Sequence, residues 1–343
     1  MNETTTIAVD LAKNVFEVLS ADANRRILER RRLTRGKFLE LLARHEPVEV
    51  VMEACGSAHF WGRTARSFGH QPILLPPAQV KPYVLRNKTD RTDTTGLLEA
   101  RHRPDIREIP VKTEHQQTLM ALHRLRQGWV ATRTSRISAV QGILRELGIV
   151  VPQGARFLAP RLADLLGDPP RELGQPLLQV LAEAREEILE LERKIRETER
   201  QLKALAAQAE LVERLLTIPG IGLLTATALV AYVGELSRFP SSRHFASFLG
   251  LTPREYSSAG TRRLGRITKR GNRYLRMLLI HGARAALLAG KRVENPDPLR
   301  AWALVLEARS HHNQAAVALA NKLARIAWAL ATHQTVYQPE RAA

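Results

Sequence analysis

Four carboxylates stand where a metal-assisted phosphoryl transfer would need them. Asp10 sits in an apolar, strand-like run, with Ile7, Ala8 and Val9 before it and Leu11 after it. A carboxylate in such a run must find a partner or bear a desolvation cost. Glu53 ends a second apolar run, VEVVME, and lies beside Asp10 if the two strands are neighbours. Asp90 and Asp93, three apart in KTDRTD, share one face of a helical turn. Two acids on one face repel unless a cation stands between them. Mg2+, or Mn2+ in its place, is a hard, oxygen-seeking ion suited to such a donor set. Two such ions roughly 3.5–4 Å apart stabilise both the attacking and the leaving oxygen of a phosphodiester displacement. Each residue alone has an ordinary explanation as a strand end, an arginine partner or a helix cap. Their joint appearance favours chemistry. Cys55 reads as a small buried residue rather than a nucleophile, and His59 and His102 read as structural.

A second constellation lies far along the chain. Arg254, Arg262, Arg263, Arg266, Lys269, Arg270, Arg273 and Arg276 form its densest basic stretch, with Glu255 as the one acid between Arg254 and Arg284. Such a stretch should bind a polyanion in a salt-sensitive way. Ser257 and Ser258 sit within it, before Ala259-Gly260, and by composition they are turn residues. Upstream, TIPGIGLLTATALVAYVG reads as a helix-hairpin-helix. Its turn could aim the amides of Gly220 and Gly222 at a phosphate, although an ordinary helix–helix turn accounts for it as well.

These residues need a frame. Residues 4–19 read as strand, turn, strand, with a third strand around Ile27 to Leu33. A helix over Gly36 to His45, a strand over Val48 to Met52, a helix over Ala58 to Phe68 and a strand over Pro72 to Leu75 follow. Val80 to Arg101 then reads as mostly helical. A three-strand meander followed by alternating elements is α/β with a mixed sheet, an order similar to the ribonuclease-H-like fold. Gln116 to Gly148 reads as one long helix. Pro152 to Pro176, rich in Pro and Gly, reads as an irregular connector. From Leu177 to Leu216 apolar residues recur at 4-3-4-3 spacing over about five heptads, the seam of a coiled coil. It could close on the 116–148 helix or on a second subunit. The region from residue 213 is helical and basic. Three domains are expected: an α/β domain at 1–112, long helices and coiled coil at 113–212, and a mostly α-helical domain at 213–343.

Bulk composition narrows the partners. The chain has 343 residues, 52 Lys and Arg against 34 Asp and Glu, and a net charge of +18. That surplus points to nucleic acid. A single cysteine allows no disulfide framework and no Cys-based zinc site, and fits a reducing cytoplasm. No signal peptide and no apolar run of the roughly 20 residues needed to span a bilayer is evident, so no membrane partner is expected. Aromatic residues make up only 5%, so aromatic stacking is not the main binding mode.

The segments IAVDLAKNVFEV, VVMEACGSAHFW and KTDRTDTTGLLEA resemble the DEDD motifs of the transposases of insertion-sequence family one-hundred-ten. The third region resembles that family's second domain, and TPREYSS with GRITKRGNRYLR looks closest to its one-one-one-one group. The resemblance implies a RuvC-like first domain whose metal-holding carboxylates fall on Asp10, Glu53, Asp90 and Asp93. Family members carry a Pro, four variable residues and a Ser usually followed by Gly, then a K-x-G-N-x-x-L-R-like element. Here Pro253 leads to Ser258, and Lys269, Gly271, Asn272, Leu275 and Arg276 match the element. Ser258 is thereby the expected nucleophile, with Ser257 the alternative because Ala259 replaces the usual Gly. The resemblance further implies a serine-linked DNA intermediate, double-stranded donor and target DNA, a structured bridge RNA as guide, and a dimer or tetramer.

Competing readings make different demands. A Holliday-junction-type endonuclease would hydrolyse DNA with the carboxylates alone and need no serine. A site-specific DNA invertase would recombine fixed sites. A non-catalytic nucleic-acid-binding protein would need none of the four carboxylates.

Overall fold

The computed structural model describes residues 3–84, 90–170, 173–258 and 260–341, with Asp90 and Arg341 described by backbone only. The chain divides into two compact units, Met1–Glu114 and His115–Ala343.

The first unit is built on one mixed sheet of five strands: β1 (Thr6–Asp10), β2 (Val15–Ala21), β3 (Ile27–Thr34), β4 (Glu49–Glu53) and β5 (Gln71–Leu75). Their order is β3-β2-β1-β4-β5. The meander β1-β2-β3 is antiparallel, while β1, β4 and β5 run parallel, as the strand–helix–strand crossovers require. Helices α1 (Arg35–Arg44) and α2 (Ala58–Ser67) cover one face. Ile7, Val9, Val50 and Met52 point there, into a core with Phe16, Phe38 and Trp61. Helices α3 (Pro77–Val80) and α4 (Asp90–Arg101), joined in part by a 3-10 turn at Lys81–Tyr83, cover the other face. Ala8, Leu19, Val51 and Ile73 point that way, against Val80, Leu97, Leu98 and Ala100. The two-residue period of a strand thus sorts each strand's residues between two cores.

The second unit is mostly helical: α5 (Glu114–Glu146), α6 (Ala155–Gly167), α7 (Gln175–Ala206), α8 (Glu210–Leu216), α9 (Leu223–Val233), α10 (Ser242–Phe248), α11 (Arg273–Gly290), α12 (Pro298–Ala308) and α13 (His312–His333). One hairpin, β6 (Pro253–Glu255) with β7 (Leu264–Ile267), interrupts them. Two departures from sequence expectation have physical causes. The 152–176 connector contains α6, which tolerates Pro160 because Leu158, Leu162 and Leu165 bury one face against Ile137, Val140, Leu144 and Ile188. The apolar seam does not run unbroken to Leu216: α7 ends at Ala206, and α8 begins at Glu210. Up to Leu202 the seam residues Leu181, Ala184, Ile188, Leu191, Ile195 and Thr198 are buried. Alongside them, Arg126 pairs with Glu199, Arg133 with Glu192 and Arg136 with Glu187. One partner number rises as the other falls, so α5 and α7 lie antiparallel. No described helix is long and apolar enough to cross a membrane.

Candidate active site

The sheet places the first two carboxylates. Val9 pairs with Met52 across β1 and β4, so the next residues, Asp10 and Glu53, end adjacent parallel strands about 4.8 Å apart. Asp10 shares its face of β1 with Ala8, and Glu53 shares its face of β4 with Val51. Both of those residues lie in the core beneath α4. Asp10 and Glu53 therefore face α4, and both are half-buried.

The helix places the third. Arg101, at the far end of α4, grips Glu49 with two hydrogen bonds, Nε to Oε2 at 3.0 Å and Nη2 to Oε1 at 2.6 Å. Glu49 lies on the same face of β4 as Glu53. From Arg101 back to Asp93 the helix rises about 12 Å. From Glu49 to Glu53 the strand advances about 13 Å. The near match carries Asp93 to the end of the strand where Glu53 stands. Asp93 also lies one turn from Leu97, which is buried against the sheet, so it belongs to the sheet-facing side of α4. Asp90 opens the helix one turn earlier, and its side chain lies outside the described residues.

A third contact fixes the same helix. Arg30 of β3 donates from Nη1 to the Arg91 carbonyl (3.1 Å) and Thr94 Oγ1 (3.1 Å), and from Nη2 to Thr95 Oγ1 (2.8 Å). Burial, and next the nearby Arg91 charge, lower its pKa. Glu17 pairs with Asp10 across β1 and β2, so it shares that face, and it meets Arg32 at 3.8 Å. Sequence reasoning missed Arg30, Arg101 and Glu17. For Glu17 and Arg30 the signal was the two-residue alternation of β2 and β3, visible only once strand register was known, and for Arg101 it was the basic last turn of α4.

Among the described residues no three His, Cys, Asp or Glu stand close enough to hold an ion. Asp10 and Glu53 stand in neighbouring registers and Asp93 lies on the sheet-facing side of α4, so the three share one end of one face without closing to ligating distance. Carboxylate oxygens are the donors a hard cation takes. His59 accepts a hydrogen bond at Nδ1 from the Lys112 amide (3.2 Å). Burial, then Lys112 and Arg63, lower its pKa to about 4. It is a structural, neutral imidazole, and Cys55 is a partly buried packing residue.

In the second unit the serines occupy the tip of the β6–β7 hairpin. Ser257 Oγ donates to Glu255 Oε1 (2.6 Å) and accepts from the Arg263 amide (3.2 Å). Ser258 makes a small antiparallel bridge with Thr261 through backbone alone: Thr261 N donates to Ser258 O at 2.9 Å. No hydrogen-bond partner of the Ser258 hydroxyl is found among the described residues, and the residue is exposed. Ala259 lies outside the described residues.

The base of the hairpin is pinched shut. Gly250 and Gly271 both have positive φ, +71° and +78°. A Cβ on Gly250 would sit 2.1 Å from the Arg270 carbonyl oxygen, and one on Gly271 would sit 1.9 Å from that of Phe248. Only glycine permits this approach. Arg276, 9% exposed, lies under the pinch and donates from Nη1 to the carbonyls of Leu249 (3.1 Å) and Arg270 (2.9 Å). Burial, then Arg273, lower its pKa. The Asn272 side chain caps α11, accepting from the amides of Tyr274 (2.9 Å) and Leu275 (3.1 Å). These two residues of the basic stretch therefore shape the hairpin. Arg254, Arg262, Arg263, Arg266, Lys269, Arg270 and Arg273 are exposed on or beside it. Gly220, φ +91°, packs its turn on α11, where a Cβ on Gly282 would fall 1.9 Å from the Gly220 oxygen. Gly222 is exposed at the start of α9.

Comparison with known proteins finds relatives of both regions of the chain. A family model described as a transposase, for the DEDD transposases of IS110, matches residues 7–149. A second, described as "Transposase IS116/IS110/IS902 family", matches residues 212–296. The chain is 40% identical to a "Probable family 20 transposase" of Pseudomonas aeruginosa, over 97% of this chain and 98% of that protein. It is 39% identical to the "Transposase for insertion sequence element IS1111A" of Coxiella burnetii, over 98% of this chain and 92% of the relative. It is 38% identical to the "Transposase for insertion sequence element IS1328" of Yersinia enterocolitica, over 98% and 99%. The chain therefore belongs to the IS110 family of insertion-sequence transposases.

Proposed function

We propose that this transposase cuts and rejoins double-stranded DNA with Ser258 as nucleophile, on a first unit of ribonuclease-H-like fold whose Asp10, Glu53, Asp90 and Asp93 hold Mg2+ or Mn2+. The observation that carries the nucleophile is the difference between the two serines: the Ser257 hydroxyl is engaged at both ends, and the Ser258 hydroxyl is not. In the proposed step Ser258 Oγ loses its proton and bonds to phosphorus. The bond to the leaving deoxyribose oxygen breaks, and that oxygen takes up a proton. The adduct keeps the phosphate ester energy, so a second DNA end can reverse the step and rejoin. Arg262 and Arg263, flanking the tip, offset charge on the phosphate. The ion supplies Lewis-acid stabilisation of the phosphoryl oxygens when bound. Two carboxylates in adjacent registers, and a third on the sheet-facing side of α4, support that donor set.

The exposed Arg254, Arg262, Arg263, Arg266, Lys269, Arg270 and Arg273 take the DNA backbone, while Gly222 at the head of α9 adds a phosphate contact. Arg276, Asn272 and Gly220 serve the shape of the site. A structured guide RNA and assembly as a dimer or tetramer complete the reading, and the net charge of +18 accommodates both nucleic acids.

Trapping the covalent adduct on a denaturing gel, with DNA carrying the element's own ends, tests the assignment. Ser258→Ala should abolish adduct and strand exchange, and Ser257→Ala should retain both. Adduct formation by Ser258→Ala would sink it, and metal-dependent hydrolysis without any adduct would favour a junction endonuclease.

A further inference from the structure

Between the β6–β7 hairpin and helices α11, α12 and α13 lies a cavity of about 1030 Å3. Its floor is apolar, made by Leu251, Ile267, Ile280, Trp302 and Val317. Its walls carry Arg266, Lys269, Arg284, Lys322 and Arg325, with no acid among the described lining residues. The walls are held in place. Arg284 Nη2 donates to Asn313 Oδ1 at 2.8 Å. The Lys322 ammonium stands 4.5 Å from the Trp302 ring centroid. Asn321 Nδ2 donates to the Leu251 carbonyl at 3.1 Å, tying α13 to the base of the hairpin. The Gln314 side-chain amide, on the same wall, has no hydrogen-bond partner among the described residues, its backbone amide donating to the His311 carbonyl at 2.8 Å.

This pairing of surfaces selects its ligand. Five cations without an acid call for an anion, and an apolar floor calls for a flat or hydrophobic group. A phosphate backbone alone would satisfy the walls and leave the floor wet. A base within a duplex has both faces stacked and its edge paired, so it cannot cover the floor. A single unpaired nucleotide has a phosphate for the walls, a base for the floor and an edge for Gln314. The volume lies at the upper end of the roughly 300–1000 Å3 of small-ligand sites, enough for a nucleotide and part of its neighbour.

We infer that this cavity receives an unpaired nucleotide, with its phosphate among Arg284, Lys322 and Arg325 and its base against Ile267, Ile280 and Val317. This rests on nucleic acid being what the transposase handles, and it is independent of which serine attacks.

Fluorescence anisotropy of the full chain with labelled single strands of about 12 nucleotides tests it, since sites of this kind span about 4–16. The probes are oligo-dT, oligo-U and an abasic deoxy strand of equal length and charge. The base-bearing strands should bind at least about fivefold more tightly than the abasic one, the lower end of what base stacking contributes. A tighter deoxy strand assigns the cavity to DNA, a tighter ribo strand to RNA, and both support it. Val317→Glu should erase the difference between base-bearing and abasic strands. Should that variant fail to fold, Gln314→Ala with exposed Arg325→Ala should reduce it, with thermal melting unchanged. Equal binding of abasic and base-bearing strands by the unaltered protein would overturn the proposal. The same Ser258→Ala chain should bind all three probes as the unaltered protein does, so failure of the nucleophile assignment leaves this test standing.

Discussion

Single residues in each unit set a pH limit that has nothing to do with catalysis. His123 is buried where α5, α9 and α11 meet, with Nδ1 2.9 Å from Tyr274 Oη and Nε2 3.0 Å from Thr227 Oγ1. Thr227 donates its own proton to the Leu223 carbonyl (2.7 Å), so it accepts from Nε2–H, and Tyr274 donates to Nδ1. That network fits only a neutral ring. Burial, then Arg126, lower the His123 pKa to about 4, and burial pushes Tyr274 up to about 12. His59 in the first unit is likewise held at about 4. In both cases the unfolded chain binds a proton first, near pH 6.5. Stability is therefore full above pH 6.5 and falls as pH drops from there towards 4, by up to about 3 kcal/mol for the fully buried His123. Thermal melts from pH 7 to pH 4 check this, and His123→Gln should flatten the profile. Asp10→Asn should abolish metal-dependent DNA cleavage, measured on labelled DNA with Mg2+ supplied, while the far-ultraviolet circular dichroism stays unchanged.

Elements explain why those residues were partly legible. Asp93 stood out in the sequence because it falls three residues from Asp90 on one helical face; that this is the sheet-facing side follows only from Leu97, one turn on, being buried there. Asp10 and Glu53 stood out because charge interrupts or ends an apolar run. The β6–β7 hairpin was not legible: its strands are exposed and rich in arginine, so they lack the apolar alternation that marks a half-buried strand. Arg276 looked like a phosphate ligand for the same reason, since composition does not reveal that a guanidinium closes two carbonyls beneath a glycine pinch. Helix α6 was masked by Pro160, and the end of α7 by Ala209 and Val212, which continue the heptad spacing past the break. Two element-scale outcomes follow. Arg30→Ala removes three hydrogen bonds that hold α4 and should slow cleavage more than it weakens DNA binding, measured as kcat against Kd. Gly282→Ala should destabilise by about 1–3 kcal/mol in denaturant titration, because its methyl would meet the Gly220 oxygen.

At the scale of the molecule, each compact unit has cores of its own. The two cores of the first unit draw on residues between Ile7 and Val111, and those of the second on residues between Leu119 and Tyr337. Residues 1–114 expressed alone should therefore unfold cooperatively with mixed α/β circular dichroism, and a non-cooperative melt would count against separate folding units. The basic surplus should make DNA affinity steeply dependent on salt, and replacing one exposed arginine of the hairpin, such as Arg263, should lower the log–log slope by about one. The pinch at Gly250 and Gly271 has a mechanical side as well. With its base fixed there and by Arg276, the hairpin is a lever whose fulcrum lies eight residues from Ser258, a span of at most about 26 Å. A tilt of about 5° at the fulcrum swings the serine by about 2 Å, a displacement that would separate an aligned from an idle group if Ser258 attacks as proposed. Because the cavity lies between this lever and α13, a molecule seated in it would set the tilt of the hairpin.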